Sequence, residues 1–140
     1  LFDPDLGAGS RFSSAEDSDF FYRAWRAGEK LVYIPSLFVL HDHGRRTREA
    51  EQKIRRGYVL GRGAFYAKHI LRGDRKAAQC MYWEIWEIFR DLFERKYQTG
   101  WKQLPWLLTG FVGYSLVRGA RTIRSGFGHA PPFPPAEKDS

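Results

Sequence analysis

Apolar and polar positions change their period several times along this chain. Residues 1–15, LFDPDLGAGSRFSSA, keep no period; Asp3-Pro4, two glycines and three serines read as a loop. Phe20, Phe21, Ala24 and Ala27 then recur at 3–4 spacing, which predicts a helix over about 16–27. Ser14 is its expected N-cap, with Asp17 three positions on as an acidic capping box, and Gly28 its expected C′ residue. LVYIP (31–35) and LFVLH (37–41) are apolar almost throughout and predict two short strands buried on both faces. Thr47 opens a helical pattern running to about Leu71, weakened in its middle by Gly57, Gly61 and Gly63. Asp74 caps a further predicted helix, about 75–97 and closed by Gly100, whose apolar arc is wider than one packed face requires. Leu104 to Val117 carries no charge over fourteen positions, which is short of the roughly twenty a membrane span needs and fits a buried or interfacial helix. The Pro-rich end from Ser125 reads as a disordered tail.

Charge sharpens this division. The 140 residues carry +7, but residues 1–43 sum to −3 and residues 44–140 to +10. An acidic head and a basic, aromatic body suggest two tasks, the body suited to an anionic partner such as a membrane surface, a nucleic acid or a phosphorylated substrate. A hydrophobic content of 43% argues against a disordered polymer, and one cysteine excludes an internal disulfide framework or a multi-cysteine zinc site. The first residue, Leu1, reads as a cut and not a start, and no leader-like segment opens the chain.

Two clusters carry candidate chemistry. Glu16, Asp17 and Asp19 fall within one helical turn beside Ser14 and Ser18. Carboxylates there complement the helix dipole, worth about 0.3–1 kcal/mol each. One of them can instead act as a general base at the mouth of a pocket built by the glycine loop. Adjacent on the helix, Glu16 and Asp17 diverge by about 100° and cannot form the facing pair of a glycoside hydrolase. The second cluster is His41-Asp42-His43-Gly44 at a strand end, where both imidazoles share a face and could reach one divalent cation, or simply be surface histidines.

The run FDPDLGAGSRFSSAEDSDFFYRAWRAGEKLVYIPSLFVLHDHGR resembles the C-terminal part of the catalytic domain of family 2-type inverting glycosyltransferases. It has in order a Phe-Asp-x-x-Leu-Gly-x-Gly loop, Glu-Asp-x-Asp opening a helix with Tyr-Arg, then Arg-Ala-Gly, a strand ending Tyr-x-Pro and a second ending in His. The resemblance implies an α/β fragment over residues 1–46, the end of a Rossmann-like GT-A domain, followed by a helical, basic-aromatic extension over 47–124 and the tail at 125–140. It implies that Asp17 is the base taking the proton from an acceptor hydroxyl as that oxygen attacks the anomeric carbon of a nucleotide-diphosphate sugar. Gly7, Gly9 and Glu16 would line the acceptor side. His41, with His43 second, would help hold a divalent cation, Mg or Mn, or the diphosphate. The nucleotide-binding half and its Asp-x-Asp motif are missing from the pattern, so the expectation is a fragment that does not turn over alone.

Residues 45–76 hold eleven Arg/Lys against three acids. This is either a solvated helix face or an anchor on an anionic membrane surface, with Trp83, Trp86, Trp101 and Trp106 at the interface; nucleic acid is the lesser alternative. The expected location is cytoplasmic, peripheral on a membrane's cytoplasmic face. His69 and His129 read as plain helix and tail residues, and Cys80 as a buried small hydrophobe.

Overall fold

Among the described residues four α-helices carry the fold: α1 Glu16–Arg26, α2 Arg48–Ile70, α3 Arg75–Glu94 and α4 Leu104–Arg124, the last preceded by a 3-10 turn at Trp101–Gln103. The structure, a computed structural model, describes residues 1–40, 47–94 and 101–124. The helix starts follow local chemistry. Thr47 Oγ1 accepts from the Ala50 amide at 3.2 Å, and Asp74 Oδ1 accepts from the amides of Lys76 (2.9 Å) and Ala77 (3.3 Å). Gly28 takes a left-handed conformation (φ 87°) just past α1.

α2 and α4 form the centre. Arg56 lies over Trp106, Leu60 and Ala64 meet Gly110, and Ala67 shares a core with Tyr114, so the two helices run in the same direction. Their approach depends on glycine. A Cβ on Gly63 would lie 2.0 Å from the Leu107 carbonyl oxygen, and one on Gly110 2.0 Å from that of Leu60. Glycines that weaken α2 in isolation are therefore its contact points, and Gly61 similarly admits Ser14. α3 returns after a short turn at 71–74 and packs Met81 and Ile85 against a second core of Val59, Tyr66 and Leu107. The acidic head joins the same body: Leu6 and Phe12 are buried with Ala64, Ala67 and Tyr114.

Several expectations are corrected. The α/β fragment is not found: among the described residues there are helices and no strand. Residues 31–40 are irregular around a turn in which Leu37 N donates to Ile34 O (3.1 Å), and no described segment pairs with them. A strand needs a neighbour for its N–H and C=O groups, and apolar residues alone do not supply one. Ser14 does not cap α1. The N-cap position is Ala15 in a left-handed conformation without a side-chain cap, while Ser14 Oγ donates to Gly57 O (3.0 Å). The apolar stripe of α1 is not its packed face: Phe20, Phe21 and Ala27 are exposed and Asp19 is fully buried. Cys80 is exposed, on the side of α3 that carries Trp83 and Glu87. The proposed tail, Gly100, His41 and His43 lie outside the described residues.

Candidate functional site

α1 is pinned by polar contacts along the face that its sequence left polar. Asp19 Oδ1 lies 2.7 Å from Lys68 Nζ and 2.9 Å from His69 Nε2, and Asp19 Oδ2 lies 2.8 Å from Arg23 Nε. Lys68 Nζ is also 2.6 Å from Asp3 Oδ2, so the loop, α1 and α2 meet at one buried ammonium. Burial pushes the Asp19 carboxyl up, but hydrogen bonds from His69, Lys68 and Arg23 outweigh it and hold the group well below the usual carboxylate range. Asp3 is lowered too, where burial is outweighed by the Lys68 and Asp5 hydrogen bonds.

A second tie joins α1 to α3. Tyr22 OH donates to Asp74 Oδ2 (3.0 Å) while the other oxygen of Asp74 caps α3, and Arg26 Nε lies 3.3 Å from Oδ2. Burial and the neighbouring Asp74 push the Tyr22 phenol up to about 12. Its ring meets Phe65 and His69 edge-on, at centroid distances of 5.3 and 4.7 Å. On the far side of α2, Tyr66 OH donates to Glu84 Oε2 (2.7 Å), and Arg62 makes an ion pair of 3.0 Å with Oε1 outside hydrogen-bond geometry.

This anchoring leaves the first turn of α1 with two different carboxylates. Glu16 is half-buried over the loop, and a Cβ on Gly7 (φ 114°) would lie 3.2 Å from its Cδ. Gly7 is buried, and Gly9 is exposed with φ 80°. Asp17 points to solvent, where its Oδ1 accepts from the Ser18 amide at 2.7 Å, with Ser18 Oγ at 3.4 Å. The divergence expected of adjacent helical residues is observed: the Glu16 side chain lies against Gly7 of the loop, and Asp17 stands open. Among the described residues no three His, Cys, Asp or Glu side chains could hold a metal ion.

An open cleft of about 360 Å³ lies between the N-terminal loop, Arg23 of α1, and the C-terminal ends of α2 and α4, lined by Leu1, Asp3, Pro4, Asp5, Arg23, Lys68, Arg72, Tyr114, Arg118 and Arg121. Asp5 makes a two-oxygen ion pair with Arg121, Nη2 to Oδ1 being 2.9 Å. The Tyr114 phenol is pushed up to about 12, by burial and by Asp3. Asp17 does not line this cleft.

Sequence reasoning grouped Asp17, Glu16, Gly7 and Gly9; the structure sets Gly7 against Glu16 at the start of α1, while a Cβ on Gly9 would meet nothing within 4 Å. It missed the anchoring set. His69 is not a plain helix residue but a buried partner of Asp19, fifty positions away. The available signal was the adjacent Lys68-His69 pair at the end of α2, facing a surplus of carboxylates in the head. Comparison with protein-family models, curated proteins and solved structures returns no match.

Proposed function

We propose that the N-terminal segment is the base-bearing, acceptor-side part of an inverting glycosyltransferase, with Asp17 as the general base. The observation that carries this reading is the contrast within one helical turn: Asp19 is fully buried and fixed by three cationic or ring partners, while Asp17 two residues away is open to solvent. A base must meet a hydroxyl it has not yet bound, on a support that does not move. Asp17 accepts the acceptor's proton as that oxygen bonds to the anomeric carbon. The bond to the nucleoside diphosphate breaks on the opposite face, and configuration inverts. Glu16, set against Gly7, keeps the glycine loop beside the incoming acceptor, and the exposed backbone at Gly9 leaves room for it. The proposal rests on this local motif and not on an α/β domain. A divalent cation, where one takes part, would neutralise the leaving diphosphate; His41 and His43 remain its candidate ligands.

The test is transfer from nucleoside-diphosphate sugars to hydroxyl acceptors by the natural gene product that contains this chain. Asp17→Asn keeps the shape and removes the base. We expect transfer to fall by about a hundredfold or more, in line with general-base catalysis, with the unfolding midpoint unchanged. Transfer retained at the parent rate by a folded Asp17→Asn protein would end the assignment.

A further inference from the structure

The outward side of α4 is a continuous uncharged strip. Leu108, Val112 and Leu116 recur at i, i+4 and i+8 and are 43%, 52% and 68% exposed, with Pro105, Thr109, Gly119 and Ala120 beside them. The opposite side of the same helix gives Leu107 and Tyr114 to the core. From Pro105 to Ala120 the strip is about 22 Å long. Among the described residues no helix is long and apolar enough to cross a membrane, so a lipid partner would meet this one from the side.

Charge decides the kind of partner. Residues 101–124 contain no acidic residue; of their basic ones, Arg118 and Arg121 line the cleft, and Lys102 stands at the N-terminal end of the strip. At the N-terminal end of the strip, Trp101 and Trp106 are exposed, Lys102 lies between them in sequence, and the Arg56 guanidinium sits 5.3 Å from the Trp106 ring centroid. Aromatic rings with cations at one end of an uncharged strip suit the headgroup layer of an anionic bilayer.

We infer that the Leu108–Val112–Leu116 face of α4, with Trp101, Trp106 and Arg56, docks flat on an anionic lipid surface. The strip enters the headgroup boundary, the tryptophans sit at headgroup level, and Lys102 and Arg56 meet lipid phosphates. This inference stands apart from the sugar-transfer reading, because no residue of α1 takes part.

Sedimentation of the whole chain with vesicles tests it. We expect binding to phosphatidylglycerol-containing vesicles, little binding to phosphatidylcholine alone, and loss of most binding at high salt. The pair Val112→Glu and Leu116→Glu should weaken binding about tenfold or more with helicity and thermal midpoint preserved. If the pair does not fold, Thr109→Glu on the same strip takes its place. Asp17→Asn should bind as the parent does, which separates a failure here from a failure of the transfer reading. Three results would overturn the inference: no binding to anionic vesicles, equal binding by the strip variants, or a strip that drives self-association or nucleic-acid binding while vesicles are ignored.

Discussion

Residues 31–40 (LVYIPSLFVL) and residues 107–117 (LLTGFVGYSLV) are similarly apolar, yet they meet different fates. In the first, the large apolar side chains are all exposed, from 51% at Ile34 to 93% at Leu40. In the second, one side is in the core and the other is the exposed strip of Leu108, Val112 and Leu116. A helix satisfies its own backbone, so it needs only a partner for one face, and α2 provides that through Gly63. An extended segment needs partners for both its backbone and its side chains, and no described residue pairs with 31–40. Apolar content sets the demand for burial; backbone geometry decides how many neighbours the demand requires.

The largest way to break the packed half is through its buried charges. Asp19→Asn removes the carboxylate that Lys68, His69 and Arg23 share and should cost about 3–5 kcal/mol of unfolding free energy, read by denaturant titration. The pH dependence has a defined sign. Asp19 titrates below its ordinary value, so its stabilisation is complete above the unfolded carboxylate pKa near 4 and is lost as pH falls through the lowered folded value. The parent should therefore lose stability below about pH 4 more steeply than Asp19→Asn does; parallel acid profiles would contradict this. Next in size, Gly63→Ala places a Cβ where the Leu107 carbonyl oxygen stands and should cost about 1–3 kcal/mol, seen as a lower thermal midpoint. An unchanged midpoint would mean that α2 and α4 are not in this contact. The smallest effect belongs to the open half. Val32→Thr and Val39→Thr should each change stability by less than about 0.5 kcal/mol. A loss of several times that would show that residues 31–40 are buried against something in solution.

Legibility followed the range of the interactions. Thr47, Asp74 and Gly28 were readable because each serves a helix end within a few residues of itself. Ser14 looked equally like a cap, but its hydroxyl is drawn to Gly57 O, forty-three positions on. The same long range hid the roles of Asp19 and His69 and turned Gly61 and Gly63 from weak points into contacts. The face of α1 was misread because its burial is organised by ion pairs and by Tyr22, while Phe20 and Phe21 stay outside. Of the candidate site, the divergence of Glu16 and Asp17 was legible from helical geometry, but which of them is open was not.

By itself, then, the sequence determined the helices, most of their ends, the split between an acidic head and a basic body, and the divergence of two adjacent carboxylates. These depend on spacing, capping and composition, which act within a turn or two. Only the tertiary structure decided that the head and body share one core, that Asp19 and not the phenylalanines fastens α1, and that the apolar run at 31–40 forms no strand. Each of those outcomes requires a partner distant in the chain, or the lack of one among the described residues, and no local pattern encodes who that partner is.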